Sequence, residues 1–233
     1  MKWRNEFKYF VSDSDINILK HRLEQILQYD SNSNSQGFYT VRSLYFDDPF
    51  KSGVFNKLDG VRNRVRYRIR RYDDSNKLRL EAKLRSNQAI SKVSKWLSMD
   101  EYASIIDGGV SLKQYDSNNV YDIFLLNIKK YHLRPSVIVE YDRVAFIVPG
   151  SDVRITLDLN VRSFKSDVNL INPTMNSVPV LMYPKQQILE VKFTDKIPSY
   201  IKRVVQSINI QRYAISKYTL CTRYIRNNSW EDN

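Results

Sequence analysis

Residues 61–72 concentrate positive charge in a strand-like pattern. They read VRNRVRYRIRRY, in which arginine recurs at every second position from Arg64 to Arg70. Because side chains alternate between the two faces of a β-strand, these arginines share one face, opposite Val65 and Ile69. Arginine binds phosphate oxygens through paired hydrogen bonds and stays charged at any working pH. The spacing therefore indicates a surface that binds a phosphate-rich anion.

The same alternation of charged or polar and apolar residues recurs in five further segments. Each has one charged face and one apolar face when it is interpreted as a strand. The positions on the charged faces are Arg4, Glu6 and Lys8; Arg79, Glu81, Lys83 and Arg85; Tyr141 and Arg143; Arg154, Thr156 and Asp158; and Glu190 and Lys192. Carboxylates within such a surface can hold a divalent metal that also touches phosphate oxygens.

Two arrangements of a sheet explain this alternation. An antiparallel sheet with one solvated face predicts it, and so does a closed sheet whose charged faces point inward. Arginines repeated along one strand repel one another unless an anion lies between them. This repulsion favours the second arrangement, which is an α+β fold with a closed antiparallel β-barrel tunnel, a charged lumen and helices packed on the outside.

Hydrophobic periodicity predicts the elements that position these faces. Strand-like segments cover residues 4–10, 41–47, 62–72, 77–85, 136–146, 152–161 and 187–193. Helical spacing covers residues 12–29, 99–106, 121–132 and 198–208. The polar loops at 31–37, 116–119 and 163–185 do not separate two self-sufficient apolar blocks. We therefore predict a single domain over residues 1–233.

The composition of the 233-residue chain narrows the classes of function. Its net charge of +12 indicates a polyanionic partner, which is nucleic acid, an anionic membrane surface or a phosphorylated small molecule. The single cysteine, Cys221, excludes an internal disulfide. We expect a cytoplasmic protein, because no apolar run has the length of a signal peptide or a membrane span. With six glycines and no Walker-type loop, side chains must bind the phosphates.

Nine segments, in this order, resemble the catalytic tunnel domain of the vacuolar transporter chaperone (VTC) family. They read EFKYFV, VRSLYFDD, KLDGVRNRVRYRIRRY, LRLEAKLR, PSVIVEYDRVAF, VRITLDLNVR, ILEVKF, IPSYIKRVV and AISKY, and they span nearly the whole chain. The resemblance implies a tunnel like that of the triphosphate tunnel metalloenzymes, in the CYTH-like superfamily. It also implies a polyphosphate polymerase that transfers the terminal phosphoryl group of ATP to a growing polyphosphate chain with Mn²⁺ or Mg²⁺.

The resemblance further implies the residues of the site. The catalytic residues would be Arg68, Arg70, Lys83, Lys192 and Lys217; the substrate-binding residues Lys8, Arg66, Lys95, Tyr141, Arg143, Arg154 and Ser216; and the metal ligand Glu190. These residue types fit phosphoryl transfer, which depends on charge neutralisation and alignment. Arg4 departs from the superfamily pattern, because it stands in place of the first glutamate of an alternating Glu/Lys strand. This departure disfavours a simple triphosphatase.

The residues leave two other functions open. One is a tunnel triphosphatase that uses water as the acceptor, and the other is a non-catalytic module that binds polyphosphate, inositol phosphates or nucleic acid. We expect no nucleic acid, because Tyr67 and Tyr72 are assigned to the face opposite Arg66 and Arg68. The expected partners are ATP and inorganic polyphosphate. A separate membrane protein partner would account for any association with a membrane.

Overall fold

The structure, a computed structural model, describes residues 4–73, 75–87, 89–109, 115–164, 170–171, 178–179 and 186–228. The strands in this part of the chain are β1 (Asn5–Val11), β2 (Gln28–Tyr29), β3 (Tyr39–Asp47), β4 (Asn63–Tyr72), β5 (Leu78–Ser86), β6 (Ala89–Leu97), β7 (Arg134–Ile147), β8 (Arg154–Phe164), β9 (Val178–Pro179) and β10 (Gln187–Phe193). The helices are α1 (Asp13–Glu24), α2 (Ser52–Leu58), α3 (Met99–Ile106), α4 (Val120–Tyr131), α5 (Ser199–Gln206) and α6 (Lys217–Asn228).

The eight longer strands form one antiparallel sheet in the order β1-β10-β8-β7-β3-β4-β5-β6. Its two edge strands, β1 and β6, meet at one isolated bridge, where Arg4 and Ile90 exchange backbone hydrogen bonds of 3.0 and 3.3 Å. The sheet therefore curls until its edges touch. A continuous ladder between β1 and β6 is not formed within the described residues. The predicted antiparallel sheet with helices is confirmed, whereas the full closure of a barrel is not.

Four helices cover the outer, apolar face of the sheet, as the sequence predicts. In one cluster Leu19 of α1 and Ile201 of α5 lie buried with Leu157 and Leu189 of the sheet. A second cluster buries α3 and α4 against β4 and β5. Burial of apolar area at about 25 cal/mol per Å² is the main force that holds these layers together.

Two helices lie on the inner face of the sheet, which the sequence did not predict. Val54 of α2 and Tyr218 of α6 are buried in one cluster with Val41, Val139 and Ile188. These three strand residues have the same parity as the cavity-lining residues of their strands, which are Tyr39 and Tyr45 in β3, Tyr141 and Arg143 in β7, and Glu190 and Lys192 in β10. The inner helices thus fill part of the interior with apolar side chains and leave the remainder as a polar cavity.

Several predicted boundaries differ from the observed ones. The helix predicted over 12–29 ends at Glu24, and residues 28–29 form β2, which pairs with β7. The elements β6, α2 and α6 were not predicted. Most of the predicted loop at 163–185 lies outside the described residues. No helix in the described part of the chain is both long and apolar enough to span a membrane.

Candidate active site

The inner face of the sheet bounds a cavity of about 1060 Å³. Among the described residues, seventeen arginines and lysines line it, against three carboxylates, from Glu6, Asp73 and Glu190. The excess of cations in this lining exceeds the net charge of +12 of the whole chain. The positive charge of the protein is therefore concentrated in the cavity, where it produces a field that attracts a polyanion.

Glu81 lies fully buried beneath the arginines of β4. Arg68 donates to its carboxylate from Nε at 2.7 Å and approaches it with Nη2 at 2.5 Å, and Lys92 of β6 contacts it at 2.5 Å. Burial by itself would raise the pKa of Glu81, but Arg68, Arg70 and Lys92 lower it far below the usual range. Glu81 is thus an ionised anchor that fixes the cations around it.

Arg70 is buried, and most of its hydrogen bonds go to neutral hydroxyl groups. Its guanidinium donates to Ser43 Oγ at 3.3 Å, to Tyr72 OH at 3.3 Å and to Tyr141 OH at 3.4 Å. The nearest carboxylate oxygen, on Glu81, is 3.7 Å away. A buried cation with long contacts to neutral partners gains strongly from an anion. Arg70 therefore carries a charge that a bound anion would neutralise.

Arg66 connects the cavity wall to the two inner helices. Its Nη1 donates to Ser216 Oγ at 3.0 Å, just before α6, and its Nη2 donates to the carbonyl oxygen of Gly53 in α2 at 2.7 Å. The guanidinium also lies 5.3 Å from the centre of the Tyr218 ring. These contacts position Arg66 without a carboxylate, so its charge remains available to a ligand.

Glu190 lies at the centre of a second cluster of ion pairs. The amines of Lys8 and Lys192 are 3.0 Å from its carboxylate, the amine of Lys217 is 2.9 Å away, and Arg143 Nη2 is 3.8 Å away. Burial by itself would raise the pKa of Glu190, but Lys192, Lys217, Lys8 and Arg143 lower it well below the usual range. One carboxylate thus holds four cations at the cavity surface.

Lys217 is the first residue of α6, where the helix dipole disfavours a positive charge. Its amine contacts the carboxylates of Asp158 and Glu190. Burial would lower the pKa of Lys217, but the two carboxylates raise it above its usual value. The amine is therefore charged.

Lys83 of β5 contacts Glu6 of β1 across the junction of the two sheet edges. Its amine donates to both carboxylate oxygens of Glu6, at 3.1 and 3.0 Å. Burial lowers the pKa of Lys83 to about 7; Glu6 opposes this shift, and Lys8 and Lys192 add to it. Burial would raise the pKa of Glu6, but Lys83 and Lys8 lower it well below its usual value. This pair lines the cavity beside the Glu190 cluster.

The carboxylates of the cavity bear on whether it can hold a divalent metal. Among the described residues, no three His, Cys, Asp or Glu side chains come together as a set of ligands. Glu6 and Glu190 lie on the paired strands β1 and β10, and Lys8 contacts both. Mg²⁺ is commonly bound by one or two carboxylates together with substrate phosphates. The two glutamates would fit an ion of that kind, bound jointly by their carboxylates and by phosphate oxygens of a substrate.

Comparison with known proteins identifies the family. The VTC domain model matches residues 3–225. The chain belongs to the VTC domain family. This confirms the resemblance carried by the nine sequence segments. No curated protein matched the sequence.

Solved structures share the fold of this VTC domain at low sequence identity. A putative adenylyl cyclase from Hippeastrum, described as having a dominant triphosphatase activity, has a TM-score of 0.54 and 14% identity over 96% of each chain. A protein from Pyrococcus horikoshii has a TM-score of 0.51 and 13% identity over 95% of this chain and 99% of its own. A putative adenylate cyclase from Vibrio parahaemolyticus has a TM-score of 0.50 and 11% identity over 94% and 97%. These similarities establish the fold.

The VTC domain brings twelve of the thirteen predicted site residues to the cavity. They are Lys8, Arg66, Arg68, Arg70, Lys83, Tyr141, Arg143, Arg154, Glu190, Lys192, Ser216 and Lys217. Ten lie on the inward faces of six different strands, and Lys217 and Ser216 come from the start of α6 and the residue before it. Glu190 lies on β10, with a cation from β1 and another from α6. The functional roles of these residues remain predictions.

Lys95 is the exception, and its placement at the tunnel surface is wrong. Its amine pairs with Glu101 at 2.6 Å and lies 4.4 Å from the centre of the Tyr121 ring, among the outer helices. Lys95 is opposite Leu80, which belongs to the outer core, whereas Lys92 on the other face of β6 lines the cavity. Because β6 was not predicted, the parity of its lysines was not available from the sequence.

Aromatic residues of the cavity were also missed. Tyr72 shares the inward face with Arg70, so its assignment to the opposite face is wrong; the even numbers of both positions already carried this signal. Trp96 of β6 lines the same cavity and lies over Arg79. The arginine surface therefore does contain aromatic side chains, contrary to the expectation that it lacks them.

Proposed function

We propose that this VTC domain is a polyphosphate polymerase that transfers the terminal phosphoryl group of ATP to an inorganic polyphosphate chain. The observation that carries the proposal is the row of inward cations along β4, from Arg64 to Arg70, within a cavity that has few carboxylates. At about 3.3 Å per residue, the six steps along the strand from Arg64 to Arg70 extend for about 20 Å. Such a row offers successive contacts to a linear chain of phosphates.

The state of the carboxylates favours a phosphate acceptor over water. Hydrolysis is helped by a group that removes a proton from water. Asp73 of the cavity lining accepts a hydrogen bond from the backbone N–H of Thr40. Four further carboxylates in or beneath the wall each contact at least two cations that lower their pKa: Glu6, Glu81, Asp158 and Glu190. Carboxylates of this kind accept protons poorly. The terminal phosphate of a polyphosphate chain is already ionised and attacks without such a base.

The amine of Lys83 is about half neutral at pH 7, since its pKa is lowered to about 7. A bound phosphate chain raises this pKa, because a nearby anion favours the charged form of a lysine. Lys83 therefore becomes a phosphate contact when substrate is present, and it does not serve as a base for water.

The chain's own residues then supply the charge that phosphoryl transfer needs. Arg68 and Arg70 would neutralise the oxygens of the transferred group, while Lys192 and Lys217 would hold neighbouring phosphates on the opposite wall. Glu190, with Glu6 beside it, would bind a Mg²⁺ or Mn²⁺ ion together with phosphate oxygens. When bound, this ion supplies further charge neutralisation and aligns the reacting groups.

The proposal is tested by the products that the purified protein forms from ATP with Mn²⁺ or Mg²⁺. We expect ADP and a polymer that an exopolyphosphatase digests. Release of free phosphate without polymer would instead assign a triphosphatase, the second candidate, which the activity described for the Hippeastrum protein of the same fold supports. Binding of polyphosphate without turnover of ATP would assign a non-catalytic module.

A further inference from the structure

The paired strands β4 and β5 present different side chains at their two ends. Arg64 pairs with Arg85 at one end, and Arg70 pairs with Arg79 at the other. We name these the Arg64 end and the Trp96 end, because Trp96 lies directly opposite Arg79 on β6. They are separated by about 20 Å along the strands. The two ends of a linear ligand would therefore contact different side chains.

The Trp96 end offers a large aromatic surface to the cavity. Trp96 lines the cavity and keeps 54% of its surface exposed. The guanidinium of Arg79 lies 5.2 Å from the centre of its ring and is fixed by hydrogen bonds of 3.0 and 2.7 Å to Ser94 Oγ. The side of the ring over Arg79 is thus supported by a cation–π contact. An exposed, supported indole at a cationic cavity is suited to stacking against a planar group of an anionic ligand.

A second ring lies at the same end of the strands. Tyr72 lines the cavity with its hydroxyl bonded to Arg70 and its ring 6.0 Å from that of Tyr39. Lys77 lines the cavity nearby, between β4 and β5. Rings and cations therefore lie together at this end of the strands, which is the combination that binds bases and backbone phosphates of a nucleotide.

The Arg64 end carries cations without compensating carboxylates. Lys57, Arg64 and Arg85 all line the cavity, and within the described residues none of them forms an ion pair. Burial, together with the charges of Arg64 and Arg85, lowers the pKa of Lys57 to about 8. A bound polyanion relieves mutual repulsion of this kind, and it needs no nucleobase to do so.

We infer that the donor nucleotide binds with its base stacked on Trp96 and its triphosphate directed along β4, and that the polyphosphate acceptor enters from the Arg64 end. The inference rests on the proposed function and adds the direction of the substrates to it. Stacking recognises the face of a ring and not its edge, so every base is accepted with similar affinity. The site thus selects nucleotides over inorganic phosphate chains, with little discrimination between adenine and guanine.

The test compares the binding of a non-hydrolysable ATP analogue with that of inorganic tripolyphosphate by calorimetry. Loss of a stacked base costs about tenfold or more in affinity. We expect Trp96→Ala to lower the affinity for the ATP analogue by about this factor and to change the affinity for tripolyphosphate by less than about twofold. Trp96→Phe should keep most of the affinity for the analogue. Phe50→Ala, at a position that is 82% exposed and outside the cavity lining, is the matched control. Equal losses for both ligands, or no loss for either, would overturn the inference.

The other end is tested with Arg85→Ala. We expect this variant to weaken the binding of a long polyphosphate chain severalfold and to leave the ATP analogue unchanged. A loss confined to the analogue would reverse the direction and overturn the inference. Because these measurements need no turnover, they separate the two proposals. If Trp96→Ala weakens binding of the ATP analogue but the wild-type protein makes no polymer, only the proposed polymerase function is contradicted. If the wild-type protein makes polymer but Trp96→Ala binds the analogue normally, only the proposed direction of the substrates is contradicted.

Discussion

Asp158 accepts two hydrogen bonds from Arg143, from Nε at 2.6 Å and from Nη2 at 2.7 Å. Both side chains are buried, and the Lys217 amine contacts the same carboxylate from α6. Asp158 is in the middle of β8 and not in a turn, and it is fully buried and absent from the cavity lining. Its part in the site is therefore to hold two cations in place at the cavity wall.

Replacement of Asp158 by asparagine is expected to destabilise the fold. It would leave Arg143 and Lys217 buried with only Glu190 for compensation, and an unpaired buried charge costs about 3–5 kcal/mol. Urea unfolding measures the loss. Glu24→Gln is the control, because Glu24 forms an exposed pair with Lys20 within α1, worth about 0.5 kcal/mol or less. Similar losses in both variants would show that Asp158 is not an anchor.

Asp158 also gives the stability a defined dependence on pH. Burial would raise its pKa, but Arg143 and Lys217 lower it below the ordinary value. A carboxylate with a lowered folded-state pKa stabilises the fold fully above its unfolded-state pKa of about 4, and this contribution is lost as the pH falls through the folded-state value. We expect the difference in unfolding free energy between wild type and Asp158→Asn to shrink below about pH 4. A difference that stays constant with pH would contradict this origin.

The inward arginines of β4 were predictable because alternation along a strand is a local property. From Arg64 to Arg70 the period of two assigns the face whatever the neighbouring strands are. The same reasoning placed Glu190 and Lys192 together. Lys95 was placed at the tunnel by the family resemblance alone, and because β6 was not recognised as a strand, no alternation was available to check its face.

The partners of Glu190 were not predictable in the same way. Lys8 reaches it from the other end of the chain through the pairing of β1 with β10, and Lys217 reaches it from α6. The pairing of strands distant in sequence depends on tertiary packing, which periodicity does not encode. The inward position of α6 is a similar case, because an amphipathic helix pattern does not say which apolar surface the helix covers.

Glu190→Gln separates a metal ligand from a structural carboxylate. We expect turnover to fall about a hundredfold or more, because a ligand of the metal is lost. Binding of the non-hydrolysable ATP analogue without metal should stay equal or become tighter, since the change removes a negative charge next to three lysines. Calorimetry and a titration of activity with Mn²⁺ check these two outcomes. Weaker metal-free binding together with lost turnover would assign Glu190 a purely structural role.

Lys192 and Lys95 form a matched pair for testing which face of the sheet is functional. Each amine contacts one glutamate, Glu190 at 3.0 Å and Glu101 at 2.6 Å, but only Lys192 lines the cavity. We expect Lys192→Ala to lower turnover about a hundredfold or more, because a phosphate contact made in the transition state is removed. Lys95→Ala should keep turnover within about twofold. Circular dichroism and thermal unfolding confirm that both variants are folded, and equal activities would contradict the assignment of the inner face.

Lys57 is expected to take up a proton when polyphosphate binds. The pKa of its amine is lowered to about 8, first by burial and then by Arg64, Arg85, Arg66 and Lys8, and no described carboxylate pairs with it. A phosphate chain in the cavity raises this pKa, so near pH 8 binding draws protons from solution, and affinity falls as the pH rises through about 8.

Calorimetry in Tris and in HEPES measures the number of protons taken up, because the two buffers differ in their enthalpy of ionisation. At pH 8 an amine with a pKa of about 8 is half protonated, so Lys57 accounts for up to about half a proton per chain. Lys57→Arg keeps the positive charge at all pH values and should lower the uptake by this amount, leaving the part that belongs to Lys83. An unchanged uptake in Lys57→Arg would show that Lys57 does not face the bound chain.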